Sequence, residues 1–528
     1  MNLSGHDLRQ LSDEYIESLK LEQIQHLTKK MRDDLRAATD LLNQTPENSS
    51  RPPGSMPIWD KGEAGSSDEQ PEPESGAELE SGAELESGAE PESGAEPESG
   101  AEPEPENSDE ENSSEEENRK AGKQPGAQGH GRTVTLPLTS EPVLHRPENC
   151  HCGKKICEDA PFEVKYGYHV LDVVQEGLGI RVTHELHLYG ESPCECGLIN
   201  QTHPGRCQSE DIWEKVELTE WRLIGPTLAS FIICLSLRMR QSRARVQEFL
   251  ASWLGIELST GCIHQCIVEG GRATEPLEQE MIEAIQASGL VNVDETGWRQ
   301  RGQTMWLWVM TTATVTLYLI GSRSWDVIAH VMESYAGWLM SDGYGQYRKY
   351  GNRLRCWAHL IRKARGLAES CDPDAVAFGT QVLEAFTRFI KGIHQARGSP
   401  DETPPSIQDL FSDDLTQLKQ LCELHRNHTH TKLRQLAREL LNDWVAIWTV
   451  LEHPHFPLTN NDAERALRHW VISRKLSYGT RSAQGSRAFA LLASVIDTCR
   501  QRGVSPWPFL AQVISHRRKG LDCPPLPS

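Results

Sequence analysis

The sequence predicts a multidomain α/β protein, and three observations carry that prediction. Short apolar runs typical of buried strands cluster between residues 289 and 356. Long stretches with helical spacing lie on both sides of them. Between residues 45 and 118 the chain loses almost all aliphatic and aromatic content, so an N-terminal helical part is set apart from the rest. At 528 residues, two to four domains are expected.

In residues 1–44, Leu11, Ile16, Leu19, Ile24, Leu27, Met31, Leu35 and Leu42 recur at steps of three, four and five with charges between them. This predicts one amphipathic helix over 10–44. A coiled-coil dimer and a helix packed on its own chain both fit, because the repeat is not a strict heptad. Residues 45–118 are expected to be a disordered acidic linker, in which ESGAEL or ESGAEP recurs five times from Glu74 to Pro103. The 23 acidic residues and single lysine (Lys61) of 60–118 account for the whole formal net charge of -22. The remainder carries 53 acidic and 53 basic residues, so overall acidity does not exclude a polyanionic partner for the folded parts. A solvated spacer is the plain role for the repeats; competition with a polyanion for basic surface is the sharper one. Residues 119–141 open abruptly basic and Gly-rich (RKAGKQPGAQGHGR), as suits a flexible phosphate-contacting arm or a linker.

The 14 cysteines are too dispersed for a disulfide scaffold, so clusters among them read as metal ligands. In residues 142–208, Cys150-His151-Cys152-Gly153 and Cys194-Glu195-Cys196-Gly197 repeat one another. A glycine after paired cysteines lets backbone amides turn toward sulfur, as in zinc-ribbon knuckles. Cys150, Cys152, Cys194 and Cys196 are thus a candidate structural Zn²⁺ site, although such knuckles usually place two residues between the cysteines. Buried, incidental cysteines are the alternative, and Cys157, His203 and Cys207 are spare candidates.

Residues 209–285 read as helical. ARVQEFLASWLGIELSTGCIHQCIVEGG fits a helix-turn-helix. Val246, Phe249, Leu250 and Trp253 line one face, Gly255 marks the turn, and Ser259 caps a second helix holding Ile263 and Ile267. A plain helical hairpin fits as well; Arg238, Arg240, Arg243 and Arg245 just upstream favour nucleic acid.

Residues 286–372 form the first part of a strand-rich core. GLVNVDETGW reads as a strand ending at Asp294, and TMWLWVMTTATVTLYLI as two strands apolar on both faces. SRSWDVIAHVMESYAG is a helix, GWLMSDGYGQY a strand ending at Asp342, and RLRCWAHLIRKARGL a strand running into a basic helix. Residues 373–455 are a helical insertion, and 456–528 complete the core. There Asn460 is expected to cap a helix with Glu464 in its first turn.

Two strand-end aspartates and a helix-borne glutamate far downstream are what an RNase H-like nucleotidyl transferase needs. Three carboxylates hold two divalent ions roughly 4 Å apart, so that both touch one phosphate. Asp294, Asp342 and Glu464 are therefore the candidate catalytic and metal-binding residues, with Mg²⁺ (or Mn²⁺) as the hard cation that carboxylates prefer. Pattern alone does not exclude their neighbours Glu295 and Asp462, but alternation from Val291 and Val293 sends Glu295 and Asp294 to opposite faces. Arg465, Arg468, Arg474 and Lys475, with Arg362, Lys363 and Arg365 on the earlier basic helix, are candidate DNA contacts. Cys356 and His359 read either as metal ligands or as a packing pair at a helix start; Tyr344 and Trp298 read as DNA contacts or core.

In these residues the chain resembles the transposases of the insertion-sequence-66 family, a DDE group. The resemblance rests on DET-x-W at 294–298, SDGY at 341–344, CWAHLIRKAR at 356–365 and TNN-x-AERALR at 459–468. The leucine-rich N-terminal helix, the GKQPGAQGHGR segment, the paired cysteines and the helical region before the core resemble that family too. The resemblance implies that the three carboxylates bind divalent metal. It implies binding of an element's terminal inverted repeats and of target DNA, cleavage at the ends, and attack of free 3′-hydroxyls on the target. It further implies a homodimer or higher complex, small accessory proteins of the same element, and a cytoplasmic, nucleoid-associated place in a bacterium. No apolar run reaches the roughly 18 to 20 residues of a membrane span. The competing readings are a protein that only occupies element ends and an RNase H-like nuclease or resolvase; the complete acidic triad and the helical insertion favour transposition.

Overall fold

The computed structural model describes residues 19–42, 137–177, 179–207, 213, 216–398 and 406–528. The acidic repeats, the basic arm up to residue 136 and residues 10–18 of the expected N-terminal helix lie outside the described residues. Fourteen α-helices and two sheets are found among the described residues.

Helix α1 is Leu21–Leu42. It starts later than the leucine pattern suggested: the Gln23 side chain accepts the Lys20 amide at 2.9 Å, a bond that closes the first turn and leaves Leu19 and Lys20 outside it. Leu21, Ile24, Met31 and Leu35 along it are exposed.

The cysteine-rich region is built on a hairpin of β2 (Glu163–Glu176) and β3 (Gly179–Pro193), with β1 (Val143–His145) parallel and β4 (Ile199–Gln201) antiparallel to β3. Helix α2 (Pro226–Ile233) runs into a π-turn, Cys234–Arg238. Helices α3 (Arg243–Leu254) and α4 (Thr260–Thr274) follow one another across a short turn. Gly255 ends α3 with φ 65°, which a side chain would oppose, and the Ser259 hydroxyl caps α4 by accepting the Cys262 amide at 3.1 Å. Trp253 departs from expectation: it is 78 % exposed, so the buried face of α3 is Val246 and Leu250. Every residue of α4 from Cys266 to Thr274 is buried, which leaves its N-terminal turns for any outside partner. Helix α5 is Leu277–Gln286.

The central sheet has the order β7-β6-β5-β8-β9. Strands β5 (Leu290–Gln300), β6 (Gln303–Thr311) and β7 (Thr316–Gly321) form an antiparallel meander. After α6 (Asp326–Met332), β8 (Trp338–Ser341) lies parallel to β5, and β9 (Arg353–Arg355) parallel to β8. One expectation is corrected here. The strand read as ending at Asp294 continues to Gln300, because its second half is carried by antiparallel pairing with β6, with Asp294 opposite Val309. What ends near Asp294 is its parallel neighbour β8, whose last pair with β5 is Met340 with Asn292.

Helix α7 (Trp357–Ala368) leads into the insertion of α8 (Pro373–Arg397), α9 (Ser412–His425), α10 (Thr431–Asn442) and α11 (Trp444–Glu452). The insertion has a hydrophobic core of its own, around Trp357, Phe386, Phe389 and Trp448, into which β8 sends Met340 while Leu339 enters the main core. Three helices finish the chain: α12 (Asn461–Ser477), α13 (Ala483–Gln501) and α14 (Pro506–Arg518). Helix α13 covers the edge strand β7. The hydroxyls of Thr498 and Ser494 accept the Thr316 and Tyr318 amides at 3.1 and 2.8 Å, which satisfies an edge that would otherwise present free donors.

Candidate active site

Asp294, Asp342 and Glu464 come from three separate elements, and the charges of Asp342 and Glu464 both act on Asp294. Asn292 pairs with Met340, so the same offset sets Asp294 against Asp342, the residue directly after β8. Glu464 lies in the first turn of α12, as the sequence indicated. Asn460, at the start of that helix, does not cap it. Its amide is spent on the sheet instead: Asn460 Nδ2 donates to the Val293 carbonyl at 2.8 Å, and Asn292 Nδ2 donates to Asn460 Oδ1 at 3.0 Å. Farther along, Arg474 donates to Thr296 Oγ1 and to the Gly297 carbonyl. Asn292, Asp294 and Thr296 share one face of β5, so α12 is laid along the face that carries Asp294.

The electrostatics of the site call for a cation. Burial, then the negative charges of Asp342, Glu295 and Glu464, push the Asp294 carboxyl well above the usual carboxylate range; the Glu295 amide, donating to Asp294 Oδ1 at 2.9 Å, opposes them. Asp342 Oδ1 accepts the Tyr344 amide at 2.9 Å. The charges acting most strongly on Asp294 are all negative. Hard oxygen donors of like charge are the ligand type that a divalent cation such as Mg²⁺ takes.

The ambiguous neighbours separate cleanly. Glu295 points to the opposite side of β5, where Arg323 Nη2 lies 2.9 Å from Oε1 and the Tyr347 hydroxyl donates to Oε2. Asp462 is exposed and pairs with Arg465. Trp298 is core, 2 % exposed and against Phe489, while the Tyr344 hydroxyl donates to the Arg323 carbonyl at 2.6 Å.

The helical insertion forms one wall. A cavity of about 550 Å³ is lined by Asp342, Gly343, Arg348, His359 and Lys363 from the core, and by Gln435, Arg438, Glu439 and Asn442 from α10. Lys363 Nζ reaches Glu439 Oε2 at 2.7 Å, so this expected DNA contact also ties α7 to the insertion. Beside it Asp443 is held by Arg348 at 2.9 Å, Arg353 at 2.8 Å and Arg355 at 3.2 Å. Burial alone would raise the Asp443 pKa, but Arg348 and Arg353, with Arg355, outweigh it and hold the carboxyl below its usual range. Gly343 makes room for this network: a Cβ there would lie 2.8 Å from both Arg355 Nη2 and Glu439 Oε1. Sequence reasoning missed Asn292, Glu439 and Asp443. Asn292, an amide inside an apolar strand two residues before Asp294, was a usable signal; the two acids of the insertion offered none.

Two of the expected DNA contacts, Arg465 and Arg468, share a second cavity of about 710 Å³ with Arg238, Arg240 and Arg500. Asp462 and Asp497 also line it. Burial, then the neighbouring Arg500, depresses the pKa of Arg238, and Asp497 opposes them. Lys475 and Arg365 are exposed, Arg362 is half-buried, and Arg474 serves the strand contact described above.

The four paired cysteines converge. The ligand atoms of Cys150, Cys152, Cys194 and Cys196 all lie within 4.8 Å of one another, with Cys150 Sγ 3.6 Å from Cys196 Sγ and Cys152 Sγ 3.9 Å from Cys194 Sγ. Tetrahedral zinc–thiolate bonds of about 2.3 Å give sulfur separations of about 3.8 Å, so the donor set fits. Each turn closes on a glycine of positive φ, Gly153 at 86° and Gly197 at 88°, whose amides return to the Cys150 and Cys194 carbonyls at 2.8 and 2.9 Å. The Cys152 amide donates to Cys150 Sγ at 3.4 Å and draws that thiol down to about 6. Among the spare candidates, Cys157 is exposed, Cys207 packs against the main core and His203 pairs with Tyr166; none belongs to this cluster.

Among the described residues, no helix is long and apolar enough to cross a membrane. A family model described as "Transposase IS66 family" matches residues 222–488. Three Sinorhizobium fredii proteins, each titled "Uncharacterized protein", are similar. One, y4qI, is 26 % identical over 297 residues, covering 50 % of this chain and 54 % of the relative. Another, y4jO, is 29 % identical over 184 residues, covering 35 % and 53 %. The third, y4jD, is 23 % identical over 407 residues, covering 70 % and 75 %. The chain thus spans about half the length of the first two relatives.

Proposed function

The chain belongs to the IS66 transposase family, and from that premise we propose that it is a DDE transposase with an RNase H-like core. In this reading it binds the terminal inverted repeats of its own element, cuts there, and joins the free 3′-hydroxyls to target DNA. The observation that supports the proposal is that Asp342 and Glu464, the latter 170 residues away in the chain, both act through their charges on buried Asp294 in the β7-β6-β5-β8-β9 sheet.

Asp294, Asp342 and Glu464 would hold the divalent ions, Mg²⁺ or Mn²⁺. When bound, such ions lower the pKa of an attacking water or hydroxyl and stabilise the leaving oxygen of an in-line displacement. The protein's own groups do the rest. Asn292 and Asn460 fix the spacing of strand and helix. The wall contributed by α10 limits access beside Asp342. Arg238, Arg465, Arg468 and Arg500 offer a site for backbone phosphates. The Cys150, Cys152, Cys194 and Cys196 set would hold a structural Zn²⁺ that keeps the β2–β3 hairpin and its turns in place. Two DNA ends must be brought together, so the active form is a homodimer or higher, with small accessory proteins of the same element as further partners.

Strand transfer tests the proposal. Full-length protein is mixed with pre-cut ends from the gene's own flanks, a target plasmid and Mg²⁺ or Mn²⁺, with Asp342→Ala in parallel. Joined product from the wild type and none from the variant is expected. Specific binding of the ends without product from either protein would sink the catalytic reading and favour a protein that only occupies them.

A further inference from the structure

Beside the three carboxylates lies a second set of donors of different chemistry. Cys356 precedes α7 and His359 lies in its first turn, three residues on, so both face the start of α12. The Cys356 sulfur, a His359 ring nitrogen and a Glu464 carboxylate oxygen all lie within 4.8 Å of one another. His359 Nδ1 and Glu464 Oε1 are 3.9 Å apart, beyond a direct hydrogen bond. Both atoms are buried from solvent and have no hydrogen-bond partner. Buried polar atoms are nearly always satisfied, so two without a partner, grouped with a sulfur, need an explanation. Cys356 is fully buried, and its sulfur accepts the Asn460 amide at 3.3 Å, the type of N–H···S contact that Cys150 also receives.

We propose that Cys356, His359 and Glu464 form a second site, sharing Glu464 with the carboxylate set, for a borderline divalent cation of the Zn²⁺ class. A thiolate, an imidazole and a carboxylate together select such an ion over Mg²⁺, which takes oxygen donors and does not choose sulfur. Three protein ligands leave a fourth position for water or a phosphate oxygen. His359 also lines the cavity that holds Asp342. The proposal deepens the transposase reading and rests on it for one consequence: Glu464 would serve both sets of ligands, so occupancy of this site would fix its orientation toward Asp294 and Asp342.

Cobalt distinguishes this site from its neighbours. Full-length protein of measured zinc content is titrated with Co²⁺, following bound metal by dialysis and the thiolate-to-cobalt charge-transfer band. The same is done for Cys356→Ser, His359→Gln, Glu464→Gln and Asp342→Asn, each first shown by circular dichroism to melt cooperatively and to retain the zinc of the four paired cysteines. Wild type is expected to bind one cobalt more per chain than C356S, with the thiolate band belonging to that increment. H359Q and E464Q should weaken the increment by about tenfold or more. D342N should keep the increment and its band while losing strand transfer, which separates this site from the reading on which it builds. Equal cobalt binding and identical spectra in wild type, C356S and H359Q would overturn the proposal, whatever the strand-transfer result.

Discussion

Asn292 and Asn460 bind one another across the core: Asn292 Nδ2 donates to Asn460 Oδ1 at 3.0 Å, and both residues are buried. Asp294 lies two residues after the first, on the same strand face, and Glu464 one helical turn after the second. The pair therefore sets how a glutamate from the end of the chain meets an aspartate from its middle.

Replacing Asn460 by alanine removes two buried side-chain hydrogen bonds, with Asn292 and with the Val293 carbonyl, and keeps the backbone contact to Cys356. The expected cost is about 1–3 kcal/mol of stability, because Asn292 is left without its partner. Urea unfolding measures that cost. Strand transfer, assayed where both proteins are fully folded, should fall by more than tenfold through displacement of Glu464; unchanged joining would separate this contact from the site.

Asp294→Asn removes the charge that burial, Asp342 and Glu464 all disfavour. Because the native pKa is raised, the metal-free fold is favoured below the ordinary carboxylate range and loses stability as pH rises through the raised value. In chelator at neutral pH the variant should therefore melt higher than wild type, by roughly 2–4 °C for each kcal/mol of relieved repulsion. Mg²⁺ should raise the wild-type melting temperature and leave the variant's nearly unchanged. A variant that melts lower in chelator would contradict this account.

Asp443 behaves in the opposite sense. Its carboxyl is held below the usual value of 3.8, so its contribution is present above that pH and is lost as pH falls through the lower native value. Asp443→Asn should mimic that loss at neutral pH, leaving Arg348, Arg353 and Arg355 without their shared acceptor at a cost of about 3–5 kcal/mol. Hydrogen exchange should then show α10 and α11 opening before the central sheet. Uniform destabilisation of both would refute a local anchoring role.

Freshly purified protein should carry one zinc bound by the four paired cysteines, and Cys194→Ser should lose it. Metal analysis reads the result directly. Exchange protection should fall in the β2–β3 hairpin, whose partner turns the metal would join. A wild-type protein that contains no zinc in this region would defeat the prediction.

Arg238→Ala combined with Arg468→Ala should weaken non-specific DNA binding and flatten its salt dependence by about one unit of slope for each arginine removed. Fluorescence anisotropy across a salt series is the measurement. An unchanged slope would mean that this cavity does not hold phosphates.

The sequence by itself determined the local elements. Alternation placed Glu295 and Asp294 on opposite faces, and the structure spends Glu295 on Arg323 and Tyr347. Gly255 and Ser259 marked the turn between α3 and α4, since a left-handed backbone and a capping hydroxyl are requirements of the chain itself. The paired Cys-x-Cys-Gly turns pointed to each other through their identical local geometry. Other assignments depended on what lies across space. The strand through Asp294 runs on because β6 pairs with it, and Asn460 forgoes its capping role because the sheet offers a buried partner. Trp253 has an apolar side chain at a helical spacing, yet it stays 78 % exposed, with the Phe249 ring of its own helix stacked at 6.4 Å. Only the tertiary structure decided that Glu439, inside the insertion, lines a cavity with Asp342, that Asp443 holds Arg348 of that cavity, and that Arg238 and Arg500 join Arg465 and Arg468. Periodicity and turn chemistry act over a few residues and are written in the chain; ion pairs and hydrogen bonds across a hundred or more residues arise only when packing brings their partners together.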